Sequence, residues 1–132
     1  KEAIDYFKKS ADKQNDKAMV LYADILMSGN DYIKADKNEA LRLYKEAANL
    51  GNADAMYSCA KILYDGDETE NIPSSKVVAA HYFEMAAEKG NYKAMEYYAQ
   101  ILESGIDEIK ADKNKANKLY EDAKKLKEKE DK

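Results

Sequence analysis

Cysteine and histidine are almost absent from this sequence, which contains one residue of each, Cys59 and His81. A single cysteine excludes an internal disulfide. A metal site requires several His, Cys or carboxylate ligands close together, and a nucleophilic serine or cysteine requires a base within reach. The sequence offers neither arrangement, so we predict that the protein is not an enzyme and that it holds no metal and no cofactor.

Long apolar runs are also missing, since no stretch approaches the length of a membrane span and no signal peptide is present. The chain begins at Lys1 without a methionine and inside a helical pattern, so we expect an upstream part of the protein. The lone cysteine and the absence of an Asn-x-Ser/Thr sequon favour a reducing, cytoplasmic compartment over a secretory one.

An excess of basic charge is the third feature that the sequence lacks. Acidic residues outnumber basic ones by 26 to 22, which gives a net charge of −4. Proteins that bind nucleic acid neutralise phosphates with a basic surface, and single-strand binders add aromatic rings to a basic groove. The 11 tyrosines could supply the rings, but the charge balance excludes the groove. We therefore predict no nucleic-acid partner.

The sequence instead contains a repeated pattern of two helices joined by a short turn. Residues 40–66 read ALRLYKEAANLGNADAMYSCAKILYDG, and residues 3–29 and 79–105 align with them at offsets of 37 and 39. Residues 116–126 repeat the first half once more, and the connector IKADKN occurs at both 33–38 and 109–114. Such periodicity is typical of helical-hairpin repeats that bury a core only by stacking on one another.

The predicted fold is therefore an all-α solenoid of about three and a half helical hairpins, forming a single domain over residues 1–132. The units cover approximately residues 1–38, 39–77 and 78–114, and a polar terminal helix over 115–132 covers the last face. Alanines recur where helix backbones approach closely. Asp36, Ser75 and Asp112 occupy positions that cap helix N-termini, and the insertion 67–76 in the second unit is expected to be exposed.

The residues that recur at equivalent positions of the units resemble those of the Sel-1-like repeat family, a relative of the tetratricopeptide repeat. The matching residues of the second unit are Ala40, Tyr44, Ala47, Ala48, Gly51, Asn52, Ala55, Met56, Ala60, Leu63 and Gly66. Departures such as Gln14 in place of the turn glycine affect local geometry only. The resemblance implies a right-handed α-α superhelix and an adaptor that holds a partner protein or peptide. It is also compatible with association with the endoplasmic reticulum, where some members act.

Candidate partner-binding residues lie on the polar face of the first helix of each hairpin, which the resemblance places on a concave groove. In the second unit these residues share a face by their i, i+4, i+7 spacing. Met85 is the exception, because the equivalent residues of the other units are charged. An adaptable apolar side chain beside His81 could anchor a partner. The full set is Asp5, Lys9, Arg42, Glu46, Asn49, His81, Met85, Glu88 and Lys118.

Two functions remain open at the level of the sequence. The first is an adaptor that binds a partner protein or peptide across several first helices. The alternative is a self-associating repeat segment that forms homo-oligomers, because a short array leaves apolar end faces that a second copy can cover.

Overall fold

The computed structural model describes residues 5, 9, 15–106 and 108–130 of the chain. Within these residues there are six α-helices and no strand beyond two isolated bridges. The helices are α1 (Asp16–Ser28), α2 (Lys37–Asn49), α3 (Ala53–Asp65), α4 (Lys76–Glu88), α5 (Tyr92–Ser104) and α6 (Lys113–Glu130). Asp5 and Lys9 are helical too, whereas the rest of the predicted helix 1–13 and Gln14 lie outside the described residues. The predicted all-α helical solenoid is confirmed.

Asparagine begins each second helix of a hairpin, namely α1, α3 and α5. The Oδ1 atoms of Asn15, Asn52 and Asn91 accept hydrogen bonds from backbone amides three residues on, at 3.1, 2.9 and 2.9 Å. Such a cap stabilises a helix by about 1 kcal/mol because it satisfies an amide that has no intrahelical partner. The turns before α3 and α5 pass through Gly51 and Gly90, both with positive φ.

Aspartate begins two of the first helices, α2 and α6, as predicted. Asp36 and Asp112 each accept a hydrogen bond of 3.0 Å from the backbone amide three residues on. Ser75 also occupies the predicted cap position before α4, but its side chain makes no capping hydrogen bond. The N-terminus of α4 is therefore less well satisfied than those of α2 and α6.

Alanines at equivalent positions of the units allow the helices to pack closely. Ala23, Ala60 and Ala99 of the second helices are 0% exposed, and the same is true of Ala40, Ala79 and Ala116 of the first helices. The large buried side chains Met19, Cys59 and Phe83 fill the space between these alanines, and one core cluster runs from α1 to α6. In the two hairpins that the structure describes in full, the second helices α3 and α5 pack more extensively on the following first helix than on their hairpin partner. The core therefore lies mainly between hairpins.

The insertion of the second unit is only partly exposed, which corrects the expectation for residues 67–76. Asp67 and Ile72 exchange two backbone hydrogen bonds of 2.7 and 2.8 Å, and this folds the loop back on itself. Ile72 is buried at 5% exposure. The Nζ of Lys37 lies 2.6 Å from a carboxylate oxygen of Asp67, and the side chain of Asn38 donates to the Glu70 carbonyl. The loop is thus anchored to the start of α2.

The Asp67 anchor makes a pH-dependent contribution to stability. Hydrogen bonds from Lys37 and from the Thr69 hydroxyl hold the pKa of Asp67 well below its ordinary value of 3.8. A carboxyl group with a lowered pKa in the folded state stabilises the fold above its unfolded pKa, and this contribution is lost as pH falls below about 4.

We therefore expect Asp67→Asn to lower the urea midpoint near neutral pH, and the difference from the parent protein to shrink as the buffer is acidified. Asp31→Asn is a suitable control, because Asp31 is exposed on another connector. A constant difference between Asp67→Asn and the parent protein at all pH values would show that the ion pair does not stabilise the loop.

None of the helices described is sufficiently long and apolar to cross a membrane.

Candidate protein interface

All of the predicted partner-binding residues are exposed. Met85 is the most apolar of them, with 42% of its surface accessible. In the described part of the chain they lie on four helices: the helix of the first unit, α2, α4 and α6. They are Asp5 and Lys9; Arg42, Glu46 and Asn49; His81, Met85 and Glu88; and Lys118.

In α2 the predicted face is a chain of ion pairs. Arg42 donates to the carboxylates of both Glu39 and Glu46, one turn to either side. The Glu39 carboxylate is the main cause of the raised pKa of Arg42, with Glu46 adding to it. Exposed pairs at this helical spacing contribute only about 0.5 kcal/mol each. Glu39, Arg42 and Glu46 are thus paired with one another within α2.

The equivalent positions of α4 are Val78, His81 and Met85, which cannot form such pairs. Val78 and Met85 are 44% and 42% exposed, so two aliphatic side chains stand on the surface where the second unit has glutamates. We name Val78, His81 and Met85 the apolar stripe. The prediction did not include Val78, although its alignment with Glu39 is readable from the repeat register.

A small cleft adjoins the apolar stripe on the first-helix side. It has a volume of about 290 Å³ and lies between α2, the loop after α3 and the start of α4. Buried Leu41 and Ile72 lie at its base, while Lys45 and Val78 stand at its edges. Val78 therefore connects the stripe on α4 to an apolar depression beside α2.

Larger clefts lie over the second helices. One, of about 530 Å³, is lined by residues of α1, α3, α5 and the end of α6, among them Asp24, Tyr57, Tyr92 and Glu130. A second, of about 300 Å³, continues from it along α3 and shares Tyr57 and Ser58. We name the two together the second-helix groove. Among the described residues, none of the predicted partner-binding residues lines it.

Four aromatic rings pack in one cluster, of which Tyr57 lines the second-helix groove. Phe83 is fully buried and stacks on Tyr97 with ring centroids 4.8 Å apart and planes 3° from parallel. Tyr57 and Tyr64 pack against Phe83 at 6.1 and 6.3 Å, and against Tyr97 at similar distances. Tyr57, Tyr64 and Tyr97 are half-buried. The ring of Tyr57 is therefore held in place where it lines the groove.

The groups that could carry chemistry are used structurally. Cys59 is 0% exposed, and burial raises the pKa of its thiol to about 12, so it is not a nucleophile at neutral pH. The hydroxyls of Tyr44 and Tyr98 donate to Asp24 and Glu84, and burial is the main reason that the pKa of each tyrosine is raised. Within the described ranges, no group of three or more His, Cys, Asp or Glu side chains could hold a metal.

A stack of helix pairs with exposed helix faces and open clefts defines a helical-repeat domain. The Sel1 repeat matches this chain at residues 1–15, 16–52, 53–91 and 93–127. The chain therefore belongs to the Sel1 repeat family, whose members typically serve as protein-interaction scaffolds and are generally non-catalytic. Each complete matched repeat joins a second helix to the following first helix, which are the pairs that pack most extensively.

Two solved structures show the same fold. A Sel1 repeat protein from Oxalobacter formigenes is 27% identical, with a TM-score of 0.81 over 94% of this chain. A protective antigen of uropathogenic Escherichia coli strains, which displays an SLR fold, is 20% identical, with a TM-score of 0.82 over 92% of this chain. This chain spans 49% of the first protein and 25% of the second. No curated protein sequence matches it.

Proposed function

We propose that this Sel1 repeat domain is a non-catalytic scaffold that holds a partner protein or peptide on its first-helix face. The observation that supports the proposal is the change within the repeat from the ion-paired Glu39, Arg42 and Glu46 to the apolar stripe. A solvated helix face favours charged side chains, whereas exposed aliphatic side chains grouped on one face are typical of interfaces.

The apolar stripe supplies the centre of the proposed interface. A partner side chain placed between Val78 and Met85 removes two aliphatic groups from water, and the flexible thioether of Met85 adapts to its shape. The small cleft beside Val78 accepts a further apolar group. Burial at such a centre contributes most of the affinity of a typical interface.

Charged and polar residues around the stripe supply the rim. Lys9 and Asp5 lie on the first unit, Lys118 lies on α6, and Asn49 and Glu88 lie near the ends of α2 and α4. Exposed charges of this kind affect the association rate and the orientation of a partner more than its affinity. A segment that crosses several units gains affinity from each of them.

The test compares a double substitution at the stripe with the same change one unit earlier. We expect Val78→Ser/Met85→Ser to weaken capture of partners from lysate by at least about tenfold, because the apolar centre is removed. Glu39→Ser/Glu46→Ser is the matched control and should lower capture by less than about threefold. Capture is quantified by cross-linking mass spectrometry, with folding checked by circular dichroism. Equal losses from the two variants would contradict the apolar stripe as the centre of the interface.

Self-association is the second candidate, since a second copy of the chain could equally cover Val78 and Met85. Light scattering of the purified domain separates the two. A concentration-dependent dimer that is abolished by Val78→Ser/Met85→Ser would identify the partner as another copy, and a monomer at all concentrations would leave the heterologous scaffold.

A further inference from the structure

The second-helix groove has a chemistry different from that of the first-helix face. Helices α1, α3 and α5 carry six acidic residues against three lysines; among the first helices, α2 and α6 are basic, and α4 carries two glutamates against one lysine. The carboxylates of Asp24, Asp54 and Asp65 line the groove and are exposed. Within the residues described, none of the three takes part in an ion pair. Asp24 accepts a hydrogen bond from the Tyr44 hydroxyl and Asp54 accepts one from the Asn91 side chain, each through one oxygen, so the second oxygen of each carboxylate can pair with a cationic partner.

The tyrosines of the second helices already attract cations. A positive charge placed over an aromatic face interacts with the negative potential of the ring, and arginine does so more often than lysine. Lysine ammonium groups lie over three of these rings: Lys61 over Tyr57 at 5.9 Å, Lys76 over Tyr64 at 5.4 Å and Lys115 over Tyr98 at 5.4 Å.

Tyr57 lies at the point where the two clefts of the groove meet. Its ring is fixed by Phe83 and Tyr97, so little conformational freedom is lost when a ligand stacks on it. Asp54 lies one helical turn before Tyr57 in α3, on the same face. An arginine that displaces the Lys61 ammonium from this ring can stack on it and pair with the Asp54 carboxylate at once.

The geometry points to the second-helix groove as a binding site for an extended peptide segment that places an arginine on Tyr57, between the carboxylates of Asp24 and Asp54. Lys89 and Lys93 line the turn end of the groove, so an acidic residue of the segment pairs there. This site is separate from the apolar stripe, and it stands or fails independently of the proposed first-helix interface.

The experiment uses short fluorescein-labelled Gly-Ser peptides that carry paired arginines, paired citrullines or paired glutamates. We expect the arginine peptide to bind weakly and in a salt-dependent way, with the largest amide shifts in its NMR titration around Tyr57 and Asp54. Citrulline keeps the shape of arginine without its charge and should bind at least about fivefold more weakly. Equal binding of the three peptides, or no binding of the arginine peptide, overturns the inference.

Variants locate the site. Tyr57→Leu should weaken binding of the arginine peptide by about fivefold, while Tyr57→Phe retains it because the ring face remains. Should Tyr57→Leu fail to fold, Asp54→Asn tests the same site without touching the aromatic cluster, and a loss of about threefold at low salt is expected. Met85→Ser is the control and should leave the affinity unchanged. Loss of binding with Met85→Ser but not with Tyr57→Leu or Asp54→Asn would refute the groove.

Discussion

Replacing Phe83 by alanine is expected to lower the free energy of unfolding by about 3–5 kcal/mol, because the ring is fully buried and nothing nearby can fill the space it leaves. Its stacked partner Tyr97 and the flanking rings of Tyr57 and Tyr64 would each lose an aromatic contact. For a domain of this size the loss is a large fraction of the total stability.

The position of Phe83 also predicts how the domain unfolds. The ring lies in α4 and contacts both α3 of the preceding unit and α5 of its own. In a repeat array the stability of the whole is the sum of unit stabilities and interfaces between neighbours. Phe83→Ala therefore weakens the central interface, and we expect its thermal transition to be broader as well as lower than that of the parent protein.

Tyr120→Ala provides a matched control for the cavity. Tyr120 occupies the same repeat column one unit later, in α6, where no described helix follows to cover it, and it remains half-buried. Removing it should cost about 1–2 kcal/mol, since much of its surface is already in contact with water. Urea unfolding followed by circular dichroism measures both variants. Equal costs would show that the aromatic cluster around Phe83 contributes nothing beyond ordinary burial.

Features that depend on short sequence spacing could be predicted from the sequence. The Asp36 and Asp112 caps follow from an acceptor placed three residues before an amide, and the alanine columns follow from the repeat period. In both cases the interacting groups are either on one turn or at equivalent positions of adjacent units. The repeat register therefore contains the information needed to place them.

Features that depend on contacts across the array could not be predicted in the same way. The ion pair between Lys37 and Asp67 joins residues 30 positions apart, and it turns an acidic insertion into an anchored loop. The second-helix groove is lined by residues of α1, α3, α5 and α6, which come together only when the units stack. For this reason the sequence directed attention to Met85 but not to Tyr57.

Replacing Gly66 by alanine is expected to cost about 3 kcal/mol or more, for two reasons that act together. Gly66 ends α3 with φ of 67° and ψ of −179°, a backbone region that essentially only glycine adopts, at a cost of about 1–3 kcal/mol for other residues. In addition, an added Cβ would lie 2.7 Å from the backbone nitrogen of Ser74 and 2.9 Å from the carbonyl oxygen of Ile72. Backbone atoms cannot move aside as a flexible side chain would.

Gly90→Ala separates the two reasons. Gly90 also has a positive φ, of 94°, but a Cβ there would meet no atom within 4 Å. Its replacement should therefore cost only the conformational strain, about 1–2 kcal/mol. If urea unfolding gave equal costs for Gly66→Ala and Gly90→Ala, the close packing of the loop over the end of α3 would be refuted.

Gly66→Ala should also loosen the loop after α3 locally, in addition to lowering the global stability. The backbone amide of Ser75 donates to the Leu63 carbonyl at 2.6 Å, which fixes the chain as it enters α4. A Cβ at position 66 would push Ser74 away and lengthen this bond. We expect faster hydrogen exchange at Ser75 and in the first turn of α4 in Gly66→Ala, but not in Gly90→Ala. Because Val78 begins the apolar stripe in that turn, the glycine that ends α3 also holds the proposed interface in place.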